Sequence, residues 1–303
     1  MNNFLANMIT PQFGYSIIRV TTPLLLPALG VAISELSGAA NIALEGIMLL
    51  AAFFGVVLSA YTGSLLLAFI GGILAGVLVG TLLGFFHLRL KANIILSAIA
   101  LNMFASGITI FLLYLLTGDK GNSNSLKSLT FPEIHIPLLK SIPVVGEILS
   151  GHNLITYLTI VAVLFYWVLV YKTPLGLRIR ATGQNPHAAQ SVGINVNRIK
   201  LYALMLSGLF GALGGLYLSM GYVSWFSRDM TAGRGFIAIA ASTLGNLTPL
   251  GIFLSSLLFG FVNAISIFIS SLNIPSEIIQ SIPYVVTVLA LTLFSIRKKK
   301  AKL

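Results

Sequence analysis

Glu45 is the residue whose type is most at odds with its surroundings. It lies with Gly38 and Asn41 in SGAANIALEGIMLLAAFFGVVLSAY, residues 37–61, which is otherwise apolar. Burying a charge at mid-bilayer costs about 2.5–3.5 kcal/mol on insertion scales, so an acid in such a run lines a polar path or is paired internally. Two roles are open to Glu45: a place on a path or its gate, or a structural hydrogen bond. Asn41 is placed to cap a helix restarting at Ile42, which sets Glu45 near that helix's positive end. Asn41, Asn102, Asn246 and Asn263 are amides in apolar segments. Each is suited to bonding a polar solute in transit, and equally to joining helices, at roughly 0.6 kcal/mol per bond.

Other chemistry is excluded by composition and spacing. His87, His135, His152 and His187 do not fall at metal-ligand spacing with acids, so no metal is expected. There is no cysteine, which removes disulfides and thiolate ligands. Serine, histidine and aspartate can be grouped on paper, but none sits at a nucleophile elbow. No G-x-x-x-x-G-K-S/T phosphate loop is present, so the chain is not expected to hydrolyse ATP. No catalytic residue and no cofactor is assigned.

The second half of the chain carries one long basic segment, KTPLGLRIRATGQNPHAAQSVGINVNRIK, residues 172–200. A short helix is written into it. The Asn185 side chain can accept from a first-turn N–H. Pro186 occupies the first helical position, where a missing N–H costs nothing. Gly193 supplies a left-handed stop. A helix of residues 187–192 is too short to be stable alone, so it must dock against something.

These groups are embedded in a chain built for lipid. Of its 303 residues, 57% are hydrophobic and 8% charged, and mean hydropathy is +0.97. Soluble domains carry about 25% charged residues. The reading is an all-α polytopic membrane bundle of about 8–10 helices, with broken or re-entrant segments. Residues 1–303 form a single transmembrane domain, with 118–153 an external loop and 172–200 a cytoplasmic one. Spans are expected at 15–34 (with Pro23 and Pro27 inside), 37–61, 64–88, 92–117, 154–171, 201–223, 251–271 and 276–296. Residues 236–246 are too few to cross as a simple helix and are read as partly re-entrant. Gly72, Gly76, Gly80 and Gly84 give the third span a smooth face for close packing. Residues 1–14 are placed at the surface without a signal peptide, and 137–149 as a lateral amphipathic segment.

The net charge of +11 would suggest nucleic acid in a soluble protein. Here basic loops orient the spans instead, and no nucleic acid is expected. The turn after the third span, the 172–200 loop and the RKKKAKL tail hold twelve of the eighteen basic residues; the other side holds six. The first side is therefore cytoplasmic. About nine crossings follow, with the N-terminus outside. The tail reads as an anchor to anionic headgroups.

Three stretches resemble a known family. GAANIALEGIMLLAAF (38–53) is similar to the G-x-x-N-x-x-x-E-G-x-M-x-x-x-A segment of permeases of the branched-chain amino acid/ribose/nucleoside ABC importers. GLRIRATGQNPHAAQSVGINVNRIKLYALMLSG (176–208) resembles the family's coupling region, with its R-A-x-G-x-N-P-x-A-A-x-x-x-G-I core, and GRGFIAIAASTLGNLTPLG (233–251) extends the likeness. The resemblance covers nearly the whole chain. NIALEG, in place of a serine-rich version, looks like the nucleoside-uptake branch.

The resemblance implies a permease of the cytoplasmic membrane working with three kinds of partner. These are a cytoplasmic ATP-binding subunit, a second permease, identical or related, and an extracytoplasmic substrate-binding protein, often a lipoprotein. It assigns Gly183, Asn185, Pro186, Ala188, Ala189 and Gly193 to ATPase coupling, the small alanines suiting a groove. Gln184 departs from the acid common there. The path is expected near Asn41, Glu45, Asn102, Asn246 and Asn263, and the solute is a nucleoside. Two alternatives accompany this reading: the same role for a simple sugar such as ribose, and a self-sufficient secondary transporter. The second draws on interrupted segments near Asn41 and Asn246, which suit the broken helices of an inverted repeat. An intramembrane enzyme would need a catalytic cluster that is missing.

Overall fold

The computed structural model describes residues 10–137, 144–269, 282–290, 292 and 296. Among these, seven helices are long and apolar enough to cross a membrane. In chain order the helices are α1 (Pro11–Leu36), α2 (Leu44–Thr62), α3 (Leu65–Gly84), α4 (Ile94–Thr117), α5 (Val145–Leu149), α6 (Leu154–Lys172), α7 (Pro174–Gln184), α8 (Pro186–Ser191), α9 (Val196–Tyr217), α10 (Arg234–Leu244) and α11 (Pro249–Ile269). π-helical turns extend α3 over Phe85–Arg89 and α9 over Leu218–Tyr222. Residues 282–290 are also helical. Among the described residues the strand pairing of named elements is a two-residue ribbon, β1 (Glu133–Ile134) against β2 (His152–Asn153).

Polar side chains start these helices. Asn93, Asn153, Thr173, Asn185 and Asn195 each accept from a first-turn N–H of α4, α6, α7, α8 and α9. Each such cap satisfies one of the donors that a helix leaves orphaned.

α1 is the central post. Of its most apolar 18-residue window, 78% is buried, against 22% for α4. It runs unbroken through Pro23 and Pro27. Pro23 cannot bond the Arg19 carbonyl one turn back, and the Tyr217 hydroxyl of α9 donates to that oxygen at 3.0 Å instead. A neighbouring helix thus re-satisfies the freed group, as lipid demands.

The closest helix packing joins α3 to α9. A Cβ built on Gly72 would meet Leu216, one on Gly76 Ala212, one on Gly80 the Leu204 carbonyl at 2.5 Å, and one on Gly84 Leu201. Gly208 lies directly on the Gly76 carbonyl. The glycine face read from sequence is the seam between these two helices.

Several boundaries differ from expectation. The second span does not start at residue 37: residues 37–43 are not helical and α2 begins at Leu44. Asn41 is therefore no N-cap of a helix at Ile42. Its Oδ1 accepts from the Ala43 N–H at 3.0 Å within the break, a local bond that competes with helix. The short segment is α10, starting at Arg234. Of the lateral segment expected at 137–149, Val145–Leu149 is helical and 138–143 lie outside the described residues. So do the basic tail, residues 1–9 and part of the last span, 276–281, 291 and 293–295.

Candidate functional site

The break between α1 and α2 gathers the polar side chains. Its backbone must find partners that a continuous helix would have supplied. The Ser34 hydroxyl accepts from the Asn41 N–H at 3.1 Å. Asn41, fully buried, donates from Nδ2 to Ser207 Oγ of α9 at 3.0 Å. Asn102, from the middle of α4, donates to the Ile42 carbonyl at 3.0 Å and accepts from the Gly46 N–H at 2.8 Å. A broken helix is thereby stitched to two neighbours.

Glu45 stands in the first turn of α2. Its two carboxylate oxygens accept from the N–H groups of Gly233 and Gly235, each at 2.7 Å. These donors begin α10, whose N-terminal N–H groups have no intrahelical partner and whose dipole favours an anion. Gly233 has φ +73° and a Cβ on Gly235 would lie 2.6 Å from the Glu45 nitrogen, so glycine is required at both. Arg234 between them donates to the Met230 and Thr231 carbonyls at 3.1 and 3.2 Å.

The remaining amides lie elsewhere. Asn246 is exposed in the turn after α10, at φ 50°. It is not an amide inside a span, because α10 has ended two residues earlier. Asn263 donates to the Phe259 carbonyl at 3.0 Å, one turn back in its own helix. The structure brings Asn41, Glu45 and Asn102 together and leaves Asn246 and Asn263 out.

At the other end of the break lies the basic segment. α8 is a helix of residues 186–191, with Asn185 Oδ1 accepting from the Ala188 N–H at 3.0 Å and Gly193 at φ +82°. His187, Ala188, Gln190 and Val192 are exposed, whereas Ala189 is buried in the chain's own interior. Of the two alanines only Ala188 is free to touch a partner. Gly183, at the end of α7, sits on the Leu36 carbonyl, with the Gly38 nitrogen 3.1 Å from where its Cβ would be. The segment bearing α8 thus rests directly on the break that carries Asn41.

Sequence reasoning did not find Ser34, Ser207, Gly233 and Gly235, the partners of Asn41 and Glu45. Ser34 is seven residues from Asn41 but is a small residue in an apolar run, and Ser207, Gly233 and Gly235 give no local sign of bonds made over 160 positions away. Among the described residues no three His, Asp or Glu side chains gather as a metal site.

A family model for the permease component of branched-chain amino acid transport systems matches residues 15–293. The chain belongs to this family. The permease is 38% identical over 283 residues to the guanosine ABC transporter permease protein NupQ of Bacillus subtilis (strain 168), covering 90% of this chain and 88% of that one. It is 35% identical over 285 residues to the nucleoside ABC transporter permease protein NupC of Lactococcus lactis subsp. cremoris (strain MG1363), covering 90% and 89%. The fold is shared with a chain of PsaBC from Streptococcus pneumoniae in complex with Fab, at TM-score 0.56 and 14% identity, over 95% and 94% of the two chains. The permease is a multi-pass plasma-membrane transport subunit of an ABC transporter.

Proposed function

We propose that the permease imports nucleosides, driven by ATP hydrolysis on a separate cytoplasmic subunit. The observation that carries the reading is the match along about nine-tenths of both chains to permeases named for guanosine and for nucleosides. The geometry supports the division of labour. α8 is capped, exposed and too short to hold itself, and it leans through Gly183 on the break between α1 and α2. Force applied to α8 by an ATP-binding subunit would reach Asn41 and, four residues on, Glu45, which holds the first turn of α10. A second permease, identical or related, would complete the pore, and an extracytoplasmic binding protein would deliver the solute.

The test is uptake of labelled guanosine and labelled ribose in cells carrying the whole transporter and lacking their own nucleoside carriers. Nucleoside uptake that vanishes when the ATP-binding subunit is inactivated supports the reading. Ribose uptake without nucleoside uptake overturns the solute, and uptake by the permease alone on an ion gradient overturns the mechanism.

A further inference from the structure

Residues 223–233 connect the outer end of α9 to α10 and do not stay at the surface. Ser227 bridges Asn122, Phe226 exchanges bonds with Ser123 at 2.8 and 2.9 Å, and the Arg228 N–H donates to the Gly121 carbonyl at 2.8 Å. Phe226 is fully buried, its ring 5.2 Å from that of Phe53. Beyond this anchor Asp229 and Ala232 take φ of 50° and 44°, a region non-glycine residues seldom enter. The strained stretch is fixed at its far end by the Glu45 bond to Gly233.

Asp229 ends up deep. Its Oδ1 accepts from the Ser106 hydroxyl at 3.0 Å. Ser106 is midway along the 24-residue α4. At about 1.5 Å per residue it lies roughly 16 Å from either helix end, near the middle of the bilayer. Yet the Asp229 side chain is 56% exposed. A half-exposed carboxylate at that depth belongs against a water-filled cavity or a protein neighbour, not against hydrocarbon. The surface beside it is open too, since a Cβ on Gly107 would touch nothing within 4 Å. Its other contact is Arg228 Nε on Oδ2 at 3.3 Å, from a guanidinium that is 60% exposed. With one donor on each oxygen, each keeps an acceptor position unfilled.

We propose that the Asp229–Ser106 pair is a solute-binding site in the water-filled part of the path, where the carboxylate receives the adjacent hydroxyl donors of a ribose 2′,3′-diol. This rests on the nucleoside reading above. Ser106 is the positioning residue that holds the carboxylate against α4, and Asp229 touches the solute. Two unfilled acceptor positions on one carboxylate match two neighbouring hydroxyl donors, and the bonds are charge-assisted.

Two measurements test it in cells carrying the intact transporter. The chain has no cysteine, so single cysteines report alone. Asp229→Cys and Gly107→Cys react with a membrane-impermeant thiol reagent added outside, whereas Leu115→Cys, on the exposed apolar flank of α4, does not. Failure of position 229 to react overturns the aqueous site whatever the solute is.

The second measurement compares uptake of a ribonucleoside with its 2′,3′-dideoxy counterpart. Asp229→Asn lowers ribonucleoside uptake about tenfold, the weight of a hydrogen bond to a charged group, and leaves dideoxynucleoside uptake unchanged. Ser106→Ala shifts the ratio the same way, about threefold. Because the binding protein is common to all variants, the change in ratio belongs to the permease. Equal loss on both solutes, with the assembled complex at its normal level, overturns the proposal and leaves Asp229 a structural residue. Absence of any nucleoside uptake by the unmodified transporter defeats the nucleoside reading and the diol with it, and is told apart by the labelling result.

Discussion

Asn102 and Asn263 are the same side chain in opposite employment. Asn102 crosses from α4 to hold a donor at Gly46 and an acceptor at Ile42, whereas Asn263 returns to its own helix at Phe259. Truncating Asn102 strands two backbone groups in the interior, and a buried group left unsatisfied costs about 1–3 kcal/mol. Asn102→Ala is therefore expected to lower the melting temperature of the purified permease clearly. Asn263→Ala frees a carbonyl that its own helix already bonds, so it is expected to change stability by under about 0.5 kcal/mol. Equal shifts in the two variants would mean that the stitch across the break carries no load. Glu45 permits a sharper comparison. Glu45→Gln keeps one acceptor for the Gly233 and Gly235 N–H groups and sets a donor against the other, with nearly unchanged shape. The loss of a charge-assisted bond, about 1.5–3 kcal/mol, is expected at the start of α10. Uptake should fall severalfold while the complex still assembles; unchanged uptake and unchanged melting would leave the carboxylate without a role.

Among the elements, α8 is the one whose form was most legible in the sequence. Asn185, Pro186 and Gly193 act within a few residues of themselves, so the cap, the first position and the left-handed stop all read correctly from a short window. The same holds for the glycine face of α3, which needs only four-residue spacing. The break at 37–43 was half legible. Asn41 and Glu45 marked it as unusual, but Glu45 bonds Gly233, 188 positions on, and nothing local announces such a partner. Asn246 was misplaced for a related reason: an apolar window does not say where a short helix stops. Nor does the sequence tell that Ala189 turns inward and Ala188 outward, and that difference decides the experiment. Ala188→Arg adds a large charged side chain to the exposed side of α8, where it has room and leaves the fold intact. It is expected to abolish co-purification of the ATP-binding subunit with no change in melting of the permease alone. Normal co-purification would place the dock elsewhere on the cytoplasmic face.

At the scale of the whole molecule, the contacts fix which ends lie together, and the basic residues fix which side they lie on. The Tyr15 hydroxyl at the start of α1 donates to the Gly151 carbonyl beside the β-ribbon, and the far end of α1 meets Gly183 beside α8. α1 therefore runs from the 118–153 segment to the 172–200 segment, and every later helix inherits its direction by alternation. Tyr61, 63% exposed at the end of α2, falls on the first side, and Val192, 75% exposed after α8, on the second. Among the described residues, seven basic ones (Arg89, Lys91, Lys172, Arg178, Arg180, Arg198 and Lys200) share the side of Val192 and five (Arg19, Lys120, Lys127, Arg228 and Arg234) the side of Tyr61, so the positive-inside rule makes the side of Val192 cytoplasmic. In this cysteine-free chain the assignment is open to direct measurement. A cysteine at position 61 is expected to react with an impermeant thiol reagent in intact cells, and one at position 192 only after the membrane is opened. The reverse pattern would put α8 outside the cell, beyond the reach of any ATP-binding subunit, and the coupling route through Gly183 and Asn41 would have no driver.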